Sequence, residues 1–285
     1  MISSHILYKR VSIQLVFSWL FLVALVPITL VFIFSFLNHS NEHLAIWTFT
    51  LKNYQQLFNS LFLKIVWRSL KLAFTVTIVT LFVGYPAAFI IARTTSKIKS
   101  LMLILLIVPF WTSSLIRTYA LLAIIKVKGI LNTVLLSLGL IHAPLQILYT
   151  NTAVIIALVY NLLPFMILPL FSNIEKLDHR LLEAARDLGA NRVQIIRHIT
   201  LPLTLPGIIT GTLFVFLPAM TLFYVPDLLG GAKSLLMGNL IENQFLSLND
   251  WPGGCATSIL LTLLMFMLMW FYRKTHQKID SKEIL

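Results

Sequence analysis

Charge is absent from this chain for long intervals, and the intervals have the length of membrane spans. Residues 13–37, 72–92, 100–116, 129–174, 202–226 and 251–272 carry no Lys, Arg, Asp or Glu. A helix needs about 20 residues to cross the hydrocarbon core of a bilayer. The pattern therefore predicts helices at about 13–37, 66–92, 100–125 (running past Arg117), 150–173, 202–226 and 255–272. The run 129–174 is too long for one span and divides at Ala143-Pro144, leaving a short segment at 130–142. The expected fold is an all-α membrane protein of six transmembrane helices, a single transmembrane domain over 1–285. The first run is longer than the ~7–15 apolar residues of a secretory signal core. It also lacks an Ala-x-Ala-like cleavage site, so it is expected to stay as the first span.

Prolines interrupt these runs at Pro27, Pro86, Pro109, Pro164, Pro169, Pro206 and Pro218. In lipid a carbonyl freed by proline needs a new partner, so such helices pack against neighbours or line a cavity. Several broken helices among six spans favour a transporter over a simple anchor.

One segment breaks the apolar pattern. Between Glu175 and Arg197 stand Glu175, Lys176, Asp178, Arg180, Glu183, Arg186, Asp187, Arg192 and Arg197. Asp178 is placed to cap a helix. Leu181, Leu182, Ala185 and Leu188 follow as an apolar stripe at helical spacing, with Glu183 and Asp187 one turn apart on another face. Gly189 suits a left-handed stop. Asn191 and Gln194 match a capping box for a second helix, expected to reach Ile199 before Leu201-Pro202 leads into the fifth span. Ala184 and Ala185 are small enough to let another surface approach. Helix, glycine turn, helix and span together have the build of a plug for a groove in a partner protein.

Composition confirms the membrane reading and adds a direction. The chain is 58% hydrophobic and 11% charged, with a mean hydropathy of +0.89. Soluble domains are roughly 25% charged. The net charge of +12 follows topology rather than nucleic acid, since no basic stripe with interleaved aromatics appears. With six spans both termini share one side. That side collects Lys9, Arg10, Arg93, Lys97, Lys99, the five basic residues of the charged segment, and Arg273, Lys274, Lys278 and Lys282. Only Lys52, Lys64, Arg68, Lys71, Arg117, Lys126, Lys128 and Lys233 lie on or near the other. The basic excess makes the first side cytoplasmic.

Several chemistries are excluded. The lone Cys255 gives no intramolecular disulfide and no metal cage. The string Gly230-Gly231-Ala232-Lys233-Ser234 lacks the spacing of a phosphate-binding loop. His39, Glu42 and His43 are read as a loop, and the other histidines are scattered, so no metal is expected. No nucleophile–base constellation stands out, and no enzyme activity is expected of this chain.

The charged segment also resembles a known signature. Permeases of binding-protein-dependent ABC importers carry Glu-Ala-Ala, three residues, Gly, nine residues, Ile-x-Leu-Pro. Here these are Glu183-Ala184-Ala185, Gly189 and Ile199-Thr200-Leu201-Pro202. Longer stretches, "LLIVPFWTSSLIRTYA" (105–120), "LVYNLLPFMILPL" (158–170), "IEKLDHRLLEAARDLGA" (174–190) and "LPAMTLFYVPDLLGGAK" (217–233), are similar to the polyamine-importing branch of that family. The resemblance covers about 60–260. It implies the type I (MetI-like) permease fold of the bacterial inner membrane. It makes 175–200 a coupling segment that docks on a cytoplasmic ATPase, with Leu182, Glu183, Ala184, Ala185, Asp187, Gly189, Ile199, Leu201 and Pro202 as its coupling residues. It implies a second permease subunit, an ATPase homodimer that binds the ATP and Mg, and a periplasmic polyamine-binding protein. No cofactor is expected on this chain itself.

A polyamine is a flexible polycation. Carboxylates suit its ammonium groups and aromatic faces suit cation–π contact. Asp227, Glu242 and Asp250 fall between the fifth and sixth spans, with Tyr224 before Asp227 and Trp251 after Asp250. Tyr160 and Trp111 stand near Pro164 and Pro109. These form the candidate substrate pathway, although Trp111 and Trp251 equally suit an interfacial aromatic belt, and Asp250 equally suits a helix cap. Two other functions stay open on the residues: a permease for another small cationic or organic solute, and a non-transporting membrane scaffold or sensor.

Overall fold

The computed structural model describes residues 2–40, 44–231 and 235–280, with side chains described from residue 13 to 270 except His179. Its contacts gather into two units, residues 1–63 with 240–285, and residues 64–239.

The first unit holds α1 (Ile2–Phe34), a small hairpin of β1 (Leu37–Asn38) and β2 (Ile46–Phe49), and α2 (Lys52–Leu57). The span 13–34 of α1 buries none of its residues, as expected of a helix that is apolar all round and surrounded by lipid or by another chain. Asn53 closes the turn after α1 by donating to the carbonyls of Ser35 and Leu37 at 3.0 and 2.8 Å, and Phe36 stacks on Phe49. The last helix of the unit, α14 (Trp251–Asp280), begins before the expected residue 255. The reason is Asp250, whose carboxylate accepts from the Gly253 amide at 3.0 Å and so caps the helix four residues early.

Among the described residues of the second unit the only regular secondary structure is helical. It contains most of α3 (Ser60–Arg93), then α4 (Ser96–Ile107), α5 (Ser114–Ile125), α6 (Ile130–Ser137), α7 (Asn151–Glu175), α8 (His179–Asp187), α9 (Arg192–Ile195), α10 (Leu201–Leu203), α11 (Leu205–Thr221) and α12 (Tyr224–Gly230). A further short helix, α13 (Met237–Glu242), straddles the unit boundary. The core lies on α7, where Leu158, Met166, Leu170 and Ile174 are fully buried. Pro164 and Pro169 lie inside α7 without ending it, and the Asn161 and Asn173 amides donate to the carbonyls of Ala157 and Pro169 one turn back.

Among the described residues, the helices long and apolar enough to cross a bilayer are 13–34, Ser60–Arg93, Ser114–Ser137, Asn151–Glu175 and Trp251–Trp270. The bent pair Arg192–Leu203 and Leu205–Thr221 makes a sixth. Besides the earlier start of α14 and the end of α1 at Phe34 rather than 37, two expected spans are interrupted. The helix read at 100–125 is interrupted at Pro109, where Val108–Trp111 tightens into a 3-10 turn and Thr112 becomes extended. The span-length stretch is instead α5 with α6. The helix read at 202–226 ends at Thr221, because Leu222 turns extended and α12 starts afresh.

Candidate functional site

The charged segment folds as two capped helices around a fixed turn. The Asp178 carboxylate accepts from the Arg180 amide at 3.0 Å and starts α8. At the far end the amides of Gly189 and Ala190 donate to the carbonyls of Arg186 and Ala185, at 2.9 and 3.0 Å. This is the Schellman closure, and it requires the left-handed backbone that Gly189 adopts at φ +85°. Asn191 and Gln194 then exchange both bonds of the capping box, at 2.8 and 2.9 Å, and open α9.

The two helices share a small apolar centre. Leu182, Ala185 and Ile195 are buried together, with Ala190 and Ile199 against them. The expected apolar stripe is therefore corrected in two places. Ala185 is an internal contact rather than part of a docking patch, so Ala184 alone presents a small side chain outward. Leu188 does not pack inside: it is 88% exposed, since the Schellman turn places it beyond the last helical residue. Leu181 and Val193 are also open. Glu183, Arg186 and Asp187 are exposed beside them. The outward face thus combines bare aliphatic side chains with both signs of charge, a combination that gains free energy when a complementary surface covers it.

The segment is joined to the membrane helices without a flexible linker. After α9, Ile196–Thr200 forms a π turn, so the second helix does not run to Ile199 as an α-helix. The short α10, holding Leu201 and Pro202, follows directly. The chain then bends by 67° into α11. The buried Thr204 marks the bend, and its hydroxyl lies 3.0 Å from the Tyr85 hydroxyl on α3. On the opening turns of α11, Gly207 and Gly211 face α7. A Cβ on Gly207 would stand 3.0 Å from the Pro169 carbonyl oxygen, and one on Gly211 would stand 2.7 Å from the Met166 sulfur. Gly84 of α3 faces the same Met166 side chain at 3.0 Å. Three helices meet around one methionine because two glycines leave room for it. On the same side, Lys99 of α4 pairs with Glu175 at the end of α7 at 3.0 Å.

The pathway candidates separate. Asp227 lies in the first turn of α12, a helix of its own rather than the end of the fifth span. Its carboxylate is exposed, and one oxygen accepts from the Asn239 amide at 2.7 Å. The buried Asn239 amide also donates to the Phe223 carbonyl at 2.8 Å, so Asp227 is held in place. The Tyr224 hydroxyl donates to Ser114 at 2.8 Å, which fixes α12 against α5. Asp250 caps α14 and faces His39 at 3.3 Å. Glu242 is half-buried at the end of α13. Tyr160 is half open on α7, and Trp111 is 83% exposed in the 3-10 turn after α4. Among the described residues, no hydrogen bond or ring contact joins Tyr160 or Trp111 to Asp227. Glu42, His43 and Ala232–Ser234 lie outside the described residues, and among those described no group of three metal-binding side chains occurs.

Sequence reasoning missed Asn239, Ser114, Gly207 and Gly211. The two glycines carried a readable signal, small residues four apart in an apolar helix. Asn239 carried none, since its role depends on a partner 12 residues away. A further omission is Asn161, buried on α7 with its amide 3.3 Å from the Thr118 hydroxyl of α5.

Comparison with known proteins bears on this arrangement. Residues 81–281 match the family model of the binding-protein-dependent transport system inner membrane component. The chain is 50% identical over 275 residues to the spermidine/putrescine transport system permease protein PotB of Haemophilus influenzae, covering 96% of each. It is 49% identical over 264 residues to PotB of Escherichia coli, covering 93% of this chain and 96% of the relative. In fold it resembles a chain of the bacterial alginate ABC transporter solved with an alginate pentasaccharide-bound periplasmic protein. The TM-score there is 0.75 at 17% identity, over 97% of this chain and 96% of that one.

Proposed function

This chain belongs to the inner membrane components of binding-protein-dependent transport systems, and we propose that it is the permease subunit of an ATP-driven importer carrying spermidine and putrescine across the bacterial inner membrane. It is a transport subunit and not an enzyme. We assign its partners as a second, PotC-like permease, a PotA-like ATPase homodimer that binds ATP and Mg, and a PotD-like periplasmic polyamine-binding protein. Both termini and the charged segment lie in the cytoplasm, and 1–285 acts as one permease domain.

The observation that carries this reading is the rigid path from an open docking face to the core. Leu181, Leu188, Val193 and Ala184 offer that face to the ATPase, rimmed by Glu183, Arg186 and Asp187. Movement of the ATPase displaces α8 and α9 as one body, because caps and the Leu182–Ala185–Ile195 centre lock them together. The π turn and α10 pass the displacement to α11, and the glycine contacts pass it to α7 and α3. At the other end of this path Asp227 offers a fixed carboxylate to an arriving ammonium group.

The test is reconstitution of the four kinds of subunit in proteoliposomes. Radiolabelled spermidine and putrescine should enter with ATP inside and binding protein outside, and the loaded binding protein should stimulate ATP hydrolysis. Uptake of a different solute that polyamines fail to compete with would overturn the substrate. A complex whose ATPase never responds to any loaded binding protein would point to a scaffold instead.

A further inference from the structure

We propose that the start of α3 carries a binding site for the headgroup of an anionic phospholipid, with the acyl chains lying along the same helix face. One side of α3, with Ser69, Ala73, Val76 and Thr80, is buried. The other side is open, and its residues change in kind along the axis. Lys64, Arg68 and Lys71 come first, all exposed, with Trp67 among them and the Lys71 ammonium 5.3 Å from the indole centroid. Phe74 and Phe82 follow, at 61% and 76% exposure. With the exposed Ile78 between the two phenyl rings, these positions recur at three- and four-residue steps, so they form one stripe.

The basic residues line a cleft of about 410 Å³, closed on the far side by Asn151 and Ile155 at the start of α7. Depth fits the assignment. At a rise of about 1.5 Å per residue, Lys71 stands about 33 Å along the helix from Arg93 and Lys64 about 44 Å. The hydrocarbon core is about 30 Å thick. The three cations therefore lie in the headgroup layer, with Trp67 at the depth of the interfacial aromatics and Phe74 and Phe82 among the acyl chains. A phosphodiester with tails matches this order of cation, indole and phenyl. A polyamine does not, because three positive charges repel it, so the cleft is separate from the Asp227 pathway.

The experiment is native mass spectrometry of the purified transport complex, delipidated and then titrated with phosphatidylglycerol or phosphatidylcholine. The complex should retain phosphatidylglycerol in preference. The triple variant Lys64→Gln, Arg68→Gln, Lys71→Gln should bind it at least about tenfold more weakly, since each cation near an anionic surface strengthens attraction about fivefold. The pair Lys64→Arg, Lys71→Arg should bind as the wild type does. Equal retention of both lipids by the wild type overturns the proposal, as does an unchanged triple variant. Loss of the second permease from the triple variant would mean that a protein covers the stripe. Weakened docking of the binding protein with lipid retention intact would assign the cations to that partner instead.

Discussion

Gly189 and Asp227 are the single positions at which the proposed coupling and pathway roles can be tested most directly. At Gly189 a Cβ would meet nothing within 4 Å, so the restriction is the backbone alone. A left-handed conformation costs a non-glycine residue roughly 1–2 kcal/mol, and more when it is β-branched. Gly189→Val should distort the Schellman turn and lower both ATPase co-purification and substrate-stimulated ATP hydrolysis. Gly189→Asn should retain most of both, because asparagine tolerates this region. Asp227→Asn should reduce polyamine uptake while leaving the complex assembled. Asn239→Ala should reduce it as well, by releasing the carboxylate. It should also destabilise the fold by about 1–3 kcal/mol, since the Phe223 carbonyl loses its partner. Radiolabelled uptake beside size-exclusion chromatography checks both variants. Full uptake by Asp227→Asn would remove the carboxylate from the pathway.

At the scale of elements, stability and coupling separate cleanly. Leu188 packs against nothing inside the chain, so Leu188→Asp should leave thermal unfolding of the permease unchanged and weaken ATPase binding. The α11–α7 contact behaves the other way. Gly211→Ala should destabilise by about 1–3 kcal/mol through overpacking, and Met166→Ala should relieve it in the double variant. Gly207→Ala should find no such relief, because its Cβ meets the Pro169 carbonyl oxygen, which cannot move aside like a side chain. Melting temperatures of the four proteins test the pair.

The same scale shows what the sequence made legible. Asp178, Gly189, Asn191 and Gln194 act within three residues of themselves, so their types and spacing were enough to place both caps and the turn. The inward or outward direction of Ala185 and Leu188 depended on where α8 stops, which hydrophobicity alone does not mark. The break at Leu222 was hidden for a similar reason, since residues 222–226 stay uncharged across the new helix start. Asp227 was picked out by its charge, but its anchor Asn239 lies in another helix and left no local trace.

For the whole molecule, the proposed orientation rests on the basic excess of one side, and orientation decides which end receives energy and which receives solute. In a Cys255→Ser background, Leu248→Cys should react with a membrane-impermeant maleimide applied to intact spheroplasts. Lys97→Cys should react only after permeabilisation. The reverse pattern would turn the chain over and place the charged segment with the binding protein. The 33-residue α1, whose span buries none of its residues, leaves an apolar surface for lipid or another chain to cover.

The π turn at Ile196–Thr200 acts as a gear tooth. It holds one residue more than an α-helix would fit in the same rise. Since each residue advances a helix by about 100°, the number of residues between Gly189 and Pro202 sets the compass bearing of the docking face relative to α11. Deleting one residue within the π turn would leave the proposed docking side chains of Leu181, Ala184, Leu188 and Val193 in place and still aim them about a quarter-turn away. The fixed spacing of the Glu-Ala-Ala to Leu-Pro signature is in this sense a phase angle written as a residue count.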